Sequence, residues 1–215
     1  GNAVVMAPTG TGKSFHIKEE AVQIILRGGA DVIFLDPEGE YVPLTQALGG
    51  TVITLSMTST HQMNPFDIDP EEEDRYTDKP FKEKLNFIWA VCQGVMEENG
   101  SYLDGQLKSI IDRCAKKIFA PMIRSGYKKP APLLNDLRLE LLKQNEPRAR
   151  ELAVNLEMYT EGSFNMFSRP TNVDTTARVV TYDLSQLSEY MRPFAEKVLP
   201  EYITERMTSN YRKGI

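Results

Sequence analysis

The eight residues from Ala7 to Ser14, with the sequence Ala-Pro-Thr-Gly-Thr-Gly-Lys-Ser, connect a short apolar run to a helical pattern. Residues 3–7 are apolar without interruption, as in a buried strand, and apolar side chains recur at helical spacing from Lys13 to Arg27. A glycine-rich turn in this position presents backbone N–H groups and the positive end of a helix dipole to a phosphate chain. The order of strand, turn and helix therefore predicts an α/β fold that binds a nucleotide.

The residue types in this turn suit a nucleoside triphosphate. Gly10 and Gly12 let the backbone approach the phosphates, and Lys13 is predicted to bridge the β- and γ-phosphates as a catalytic residue. The Ser14 hydroxyl is predicted to bind Mg²⁺, so the predicted cofactors are ATP and Mg²⁺. The nucleotide-binding residues predicted from the turn are Pro8, Thr9, Gly10, Thr11, Gly12, Lys13, Ser14 and Phe15.

The turn departs from the usual phosphate-binding pattern at Ala7, where glycine is the common residue, but a small side chain fits the same space. A dinucleotide-binding fingerprint is the rival interpretation, and Asp36 lies about where its ribose-binding acid would be. That fingerprint fails at Phe15, which stands where a third glycine would let the helix pack closely on the strand. The phosphate-binding turn is therefore favoured.

Two more apolar runs, residues 32–35 and 52–55, lack polar alternation and predict strands that are covered on both faces. Short helical connections join these strands, which indicates a parallel, doubly wound sheet. Strand character returns only at residues 178–184. Pro193 and Pro200 are predicted to interrupt a last helical segment near the end of the chain.

The middle of the chain has a different character, because helical patterns replace the strands. These patterns lie at about residues 80–96, 103–119, 132–145 and 148–160. A gap of this length between strands is far longer than an ordinary connection. The sequence therefore predicts an all-helical subdomain at 67–161, inserted into an α/β core formed by residues 1–66 and 162–215.

An acidic turn, Asp-Pro-Glu-Gly-Glu-Tyr from Asp36 to Tyr41, follows the second predicted strand. Open α/β sheets bind ligands at the edge where their strands end. Asp36 is predicted to order a water molecule bound to Mg²⁺. Glu38 or Glu40 is predicted to orient the attacking water or to contact a neighbouring subunit. A plain proline–glycine turn with solvated acids is the alternative.

Four stretches appear in the order that a known family uses. They are the phosphate-binding turn, the acidic turn, Asn64-Pro65-Phe66, and Gly162-Ser163-Phe164 with Phe167. Together they resemble the large cytoplasmic ATPase of bacterial conjugation and type IV secretion machines, the VirB-four type, within the HerA–FtsK class of ring motors. The resemblance implies a RecA-like P-loop NTPase fold that carries a helical insertion.

The same resemblance implies ATP hydrolysis that powers pilus assembly or substrate transfer across the envelope. It also implies hexameric rings of the full-length protein, ATP and ADP as ligands, and membrane-embedded secretion-channel proteins as partners. The expected location is cytoplasmic and peripheral, at the inner face of the cell membrane. A nucleotide-gated assembly scaffold and a small-molecule P-loop kinase stay open as alternatives, although a kinase would carry an arginine-rich lid, and the middle block is acidic and lysine-bearing.

A P-loop motor also needs a second acidic motif, an apolar strand that ends in Asp and usually Glu. The nearest match ends at Asp183, but Leu184 follows where Glu would stand. In the family this motif comes just after a helix like the one that ends the chain, so the sequence is expected to be a fragment that stops short of it. Arg169 and Arg178 are candidates for an arginine finger toward a neighbouring subunit, or are simply solvated.

The formal net charge of −5 argues against a surface that holds nucleic acid by bulk electrostatics, so DNA is a partner that the charge does not support. A small basic patch is still compatible with this charge. Cys92 and Cys114 lie in apolar, helical surroundings, as expected of reduced core thiols in a cytoplasmic protein. His16 and His61 lack the partnered cluster that predicts a metal site.

Overall fold

The structure of the protein is a computed structural model that describes residues 3–6, 13–28 and 30–212, with the side chains of 16–28 and 30–205. The strands are β1 (Ala3–Met6), β2 (Val32–Asp36), β3 (Thr51–Thr54) and β4 (Val179–Asp183). The helices are α1 (Lys13–Arg27), α2 (Val42–Ala47), α3 (Lys79–Glu98), α4 (Gly105–Arg124), α5 (Leu134–Leu142), α6 (Pro147–Asn155), α7 (Glu157–Thr160) and α8 (Arg192–Arg212). Two short 3-10 helices lie at Glu72–Asp74 and Met166–Ser168.

The chain divides into two compact units. The first, here called the sheet unit, contains the residues up to His61, residues 172–192 and the residues from Ile203 onward. The second, here called the helical unit, contains residues 62–171 and 193–202. Helix α8 contributes residues to both units.

The sheet is parallel throughout, with the strand order β1-β2-β4-β3. All five residues of β2 and all five of β4 are buried, which explains why both strands read as continuous apolar runs with few polar positions. The predicted α/β fold with a parallel sheet is therefore confirmed. The late strand β4 lies between β2 and β3, so the last strand in sequence occupies an inner position.

Helix α1 packs on the sheet through the positions that the sequence pattern predicts. Ala21 is fully buried against a cluster that includes Val32, Phe34 and Val179. Partly buried side chains that extend this cluster are Ile17, Ile24, Ile25, Leu44 and Leu48. The spacing of three and four residues along α1 places Ile17, Ala21, Ile24 and Ile25 on one face, which is the physical origin of the helical pattern.

A two-glycine turn joins α2 to β3. Gly49 has a φ of +68°, a conformation that residues with a Cβ rarely adopt. At Gly50 a Cβ would lie 2.5 Å from the Val179 carbonyl oxygen and 2.9 Å from the Thr45 Cγ2 atom. Only a glycine therefore lets the chain pass this close to β4.

We expect Gly50→Ala to lower the free energy of unfolding by about 2 kcal/mol or more, because the added methyl group overlaps a strand carbonyl that cannot move without disturbing the ladder. Gly105→Ala is the matched control. Gly105 begins α4 with open space around its Cβ position, so the change is expected to be neutral or to stabilise by up to about 1 kcal/mol. Urea unfolding followed by circular dichroism measures both, and equal midpoints for the two variants would contradict the packing of this turn.

The helical unit has its own apolar core. Phe119 contacts Phe66 and Phe81, with ring centroids 5.6 and 5.3 Å away. The thiols of Cys92 and Cys114 are free and buried in this core. Burial raises the pKa of Cys92 to about 12 and that of Cys114 to about 11, so both stay protonated and unreactive at neutral pH.

Helix α8 is continuous, and the predicted interruption at Pro193 and Pro200 is wrong. Pro193 lies in the first turn of α8, where a backbone N–H has no helical partner to lose. Pro200 lies inside the helix, which continues to Arg212. Burial of Val198, Leu199 and other neighbours in apolar surroundings offsets the lost hydrogen bond. Within the described residues, no helix is long and apolar enough to cross a membrane.

Candidate nucleotide site

The carboxyl edge of the sheet, where the parallel strands end, gathers the acidic turn and the end of β4. Strand β1 ends there at Met6, whose register partner is Leu35, and Asp36 pairs with Asp183 on β4. This is the edge at which open α/β sheets bind ligands. The site predicted from the acidic turn therefore lies at the end of the strand next to β1.

The predicted phosphate-binding turn lies mostly outside the described residues. Of its predicted nucleotide ligands, Pro8, Thr9, Gly10, Thr11 and Gly12 are outside. Lys13, Ser14 and Phe15 are described only as the backbone that begins α1. Their roles toward ATP and Mg²⁺ stay predictions.

Asp36 organises the acidic turn through its carboxylate. The side chain is 1% exposed. Its Oδ1 atom accepts a hydrogen bond from the Glu40 backbone N–H at 3.1 Å, and its Oδ2 atom accepts one from the Tyr41 N–H at 2.8 Å. Burial raises the pKa of Asp36, the hydrogen bonds from the turn lower it, and the nearby Asp183 raises it. Both oxygens are thus engaged in closing the turn.

The acidic turn is fixed against the segment that follows β4. The Leu184 N–H donates to the Asp36 carbonyl at 2.9 Å, which extends the strand ladder by one step. Gly39 has a φ of +75°, and a Cβ there would lie 3.2 Å from the Ser185 Oγ atom. Ser185 in turn donates its backbone N–H to Asp183 Oδ1 at 2.9 Å. The two turns therefore interlock, and glycine is required where they meet.

Tyr41 ties the acidic turn to helix α1. Its ring stacks on Phe34 of β2, with centroids 4.4 Å apart and an interplanar angle of 17°. The Lys18 Nζ atom lies 5.4 Å from the centre of the same ring. Helix α1, which follows the predicted phosphate-binding turn, therefore contacts the acidic turn through this aromatic ring.

Glu38 and Glu40 have a different environment from Asp36, because both side chains are exposed. Glu38 has a charged neighbour in Arg192, whose Nη1 atom lies 4.0 Å from Glu38 Oε1. Exposed carboxylates can bind and orient water, whereas the Asp36 oxygens already accept two backbone N–H groups. The arrangement is compatible with the predicted roles of the two glutamates, which stay predictions.

The acids at this edge are also compatible with a magnesium site. Asp36 and Asp183 occupy paired register positions, and both are buried. Carboxylate and hydroxyl oxygens are the ligands that Mg²⁺ prefers. Within the part of the chain that the structure describes, no group of three or more His, Cys, Asp or Glu residues is arranged to hold a metal ion. Any Mg²⁺ bound here would depend on the phosphates of the nucleotide and on Ser14.

The arginine that lies beside the acidic turn is Arg192, whereas the sequence pointed to Arg169 and Arg178. Arg178 lies at the opposite edge of the sheet, where its Nη2 atom donates to the Ala30 carbonyl at 3.3 Å. Arg169 belongs to the helical unit. Arg192 instead begins α8 beside Glu38. No sequence motif points to it, because its position depends on how the chain turns after β4.

Asn64 of the Asn-Pro-Phe stretch is a hydrogen-bond centre in the helical unit. Its Oδ1 accepts the Phe66 N–H at 3.0 Å, its Nδ2 donates to the Pro132 carbonyl at 3.0 Å, and its N–H donates to Thr171 Oγ1 at 2.8 Å. The buried Lys84 ammonium donates to the Pro65 carbonyl at 2.8 Å. This stretch therefore joins three segments of the helical unit, which is a structural role.

The second stretch of the family resemblance contributes to an aromatic cluster of the helical unit. Phe164 contacts Phe167 and Tyr159 edge to face. Tyr159 stacks on Phe194 of α8, with centroids 3.8 Å apart and an interplanar angle of 19°. The cluster therefore includes a residue from the first turn of α8, which belongs to the helical unit.

A parallel sheet with acids at its carboxyl edge, together with a separate helical unit, defines the class of open α/β domains that carry a helical unit. The family described as "Helicase HerA, central domain" matches residues 3–190 of the chain. Because this match covers most of the sequence, the chain belongs to the HerA central-domain family. Comparison with curated proteins gives no match.

A solved structure, that of VirB4 of Thermoanaerobacter pseudethanolicus, has the same fold, with a TM-score of 0.70 at 18% sequence identity. The likeness covers 95% of this chain and 54% of that chain, so this chain spans about half the length of the VirB4 chain. The predicted P-loop ATPase fold and the predicted resemblance to the VirB-four type are confirmed. The HerA family is one of P-loop ATPase motors, and membership implies a nucleotide ligand.

We expect Asp36→Ala to lower the free energy of unfolding by about 1–3 kcal/mol, because two backbone N–H groups of the turn lose their acceptor. Glu40→Ala is the matched control, since its exposed side chain is expected to matter by less than about 0.5 kcal/mol. Urea unfolding of the two variants and the wild type measures both effects. If Asp36→Ala is as stable as Glu40→Ala, the carboxylate does not hold the turn.

Proposed function

We propose that this chain is an ATP-binding and ATP-hydrolysing motor domain of a type IV secretion or conjugation machine, where it powers pilus assembly or substrate translocation. The observation that carries the proposal is the family match over residues 3–190. The likeness in fold to VirB4 and the acids at the carboxyl edge support it. A motor must bind nucleotide at such an edge and release phosphate there.

The proposed chemistry divides between the two turns. Lys13 would neutralise the β- and γ-phosphates, Ser14 would hold Mg²⁺, and Asp36 would order a water molecule bound to it. When bound, Mg²⁺ neutralises charge that develops on the phosphates. Glu38 and Glu40 act as the catalytic carboxylates that orient the attacking water, because they are exposed and can accept hydrogen bonds from it.

The proposed assembly is a hexameric ring of the full-length protein that alternates between ATP and ADP. The ring would work in the cytoplasm, peripheral at the inner face of the cell membrane, on membrane-embedded secretion-channel proteins. DNA is not supported by the net charge of −5. All of these partners are carried over from the family resemblance.

Residues 1–66 and 162–215 are proposed to form the motor core, with 67–161 as an inserted helical subdomain that moves as a lever. In the structure the helical unit is wider, since it contains residues 62–171 and 193–202. Its boundary lies close to Asn64, the hydrogen-bond centre described above.

We expect Lys13→Ala to weaken binding of ATP with Mg²⁺ at least tenfold, because removal of a charge-assisted hydrogen bond to phosphate costs about 1.5–3 kcal/mol. Calorimetric titration measures the affinity. Lys108→Ala is the control, because Lys108 is an exposed residue of α4 in the helical unit and has no part in the proposed site. Equal affinity for the wild type and Lys13→Ala would overturn the nucleotide site.

The same pair of variants tests the transport role in the full-length protein. Lys13→Ala is expected to abolish ATP-dependent phosphate release and transfer of a conjugative element, whereas Lys108→Ala supports both. If Lys13→Ala abolishes phosphate release but leaves transfer intact, the motor chemistry stands and the secretion role is wrong.

The lever hypothesis predicts a change at the connections to the inserted subdomain. On addition of a non-hydrolysable ATP analogue, hydrogen exchange is expected to change at residues 64–69 and 161–167, because a moving subdomain must rearrange its attachments. Mass spectrometry of peptides from the two states measures this. A change confined to residues 9–15 would mean that the subdomain is a static cover.

A further inference from the structure

We infer that Arg192 is a positioning residue of the proposed nucleotide site, which acts by orienting the Glu38 carboxylate for the attacking water. The inference rests on the proposed function, since it concerns how Glu38 would work there. Neither the family match nor the fold likeness assigns a role to Arg192.

A series of backbone hydrogen bonds brings Arg192 from the end of β4 to its place. The Leu187 N–H donates to the Leu184 carbonyl at 3.0 Å, and the N–H groups of Met191 and Arg192 both donate to the Ser188 carbonyl at 3.0 Å. Leu184 itself is bonded to Asp36, at the start of the acidic turn. The same backbone that locks the two turns together therefore sets the position of the guanidinium.

The contact between Arg192 and Glu38 is an ion pair without a hydrogen bond. The Nη1 and Oε1 atoms are 4.0 Å apart, whereas charge-assisted hydrogen bonds are about 2.7–2.9 Å long. The Glu38 side chain is 53% exposed and that of Arg192 is 31% exposed. The guanidinium thus attracts the carboxylate and limits its orientation, while both carboxylate oxygens stay available to accept hydrogen bonds from water.

The Arg192 side chain also has an unused donor. Its Nε atom is buried and has no hydrogen-bond partner among the described residues. A guanidinium with only a structural role would be expected to donate a hydrogen bond from its buried Nε, because an unsatisfied buried N–H group lowers the stability of the fold. The ion pair without a hydrogen bond and the unsatisfied Nε–H group together indicate that the Arg192 guanidinium acts through its charge on Glu38.

Stability of helix α8 does not explain an arginine at this position. Arg192 is the first residue of α8, where the helix dipole is positive and a cation is unfavourable by about 0.3–1 kcal/mol. No acidic residue lies in the first turn of α8 to compensate. Arg192 therefore occupies a position where the helix dipole disfavours a positive charge. Its acidic partner in the ion pair is Glu38.

The test uses the full-length protein and compares Arg192→Ala, Arg192→Lys, Glu38→Gln and the double variant Arg192→Ala with Glu38→Gln. We expect Arg192→Ala to lower kcat for ATP about tenfold or more while the Kd for ATP with Mg²⁺ stays within about twofold, because the water loses its orientation and the nucleotide does not lose a ligand. Arg192→Lys, which keeps the charge, is expected to recover part of the rate. Adding Arg192→Ala to Glu38→Gln is expected to cause no further loss.

Arg150→Ala is the matched control, since Arg150 is an exposed arginine of α6 in the helical unit. Unchanged kcat in Arg192→Ala, a loss that multiplies with that of Glu38→Gln, or a loss of nucleotide affinity in place of kcat would each overturn the inference. Nucleotide affinity that matches the wild type shows that the variants are folded. If the wild type hydrolyses ATP in a Lys13-dependent way and Arg192→Ala is as fast, only this inference fails. If the wild type does not hydrolyse ATP, the proposed function fails with it.

Discussion

The buried carboxylate of Asp36 is the group on which the candidate site depends. It lies at the end of β2, where the chain must leave the sheet and turn within five residues into α2. Two backbone N–H groups of this turn would otherwise be left without an acceptor, and Asp36 accepts both. Its own carbonyl accepts the Leu184 N–H, so the same residue also fixes the segment after β4. Removal of this one side chain would therefore leave two N–H groups of the acidic turn without their acceptor, whereas the backbone link to the segment after β4 would remain.

Burial of this carboxylate has an electrostatic consequence. Desolvation and the neighbouring Asp183 both disfavour ionisation of Asp36 and raise its pKa, and the backbone hydrogen bonds of the turn oppose them. For an acid whose folded pKa is raised, the associated stability is present at low pH and is lost as pH rises through that pKa. Two neighbouring buried carboxyl groups lower the stability of the fold, and a turn with only a structural role would not need both. A bound cation or nucleotide–magnesium complex would lower this cost, which is a physical reason for the pair to exist.

The sequence predicted the structure well where short-range patterns determine it, and failed where segments distant in the chain come together. The strands, the helical middle block and the edge that carries Asp36 followed from apolar periodicity and from the rule that ligands bind where parallel strands end. The continuity of α8 through Pro200 was missed, because apolar burial on both sides of the proline outweighed its local preference. The place of β4 between β2 and β3, and of Arg192 beside Glu38, depends on the path of the chain over more than a hundred residues.

The acids of the carboxyl edge separate into two kinds, and the separation favours a division of labour. Asp36 is buried and has both oxygens engaged by the backbone, so it can shape the turn and influence a nearby cation through its charge, but it cannot move toward a substrate. Glu38 is exposed and is attracted by Arg192 without a hydrogen bond, so its oxygens are free to accept a proton or to orient water. In the proposed hydrolytic site the two kinds of group would have different tasks, since Asp36 would shape the turn and Glu38 would contact the attacking water. The turn from Asp36 to Tyr41 supplies both kinds within six residues, and this is the physical reason to place the catalytic roles on the glutamates.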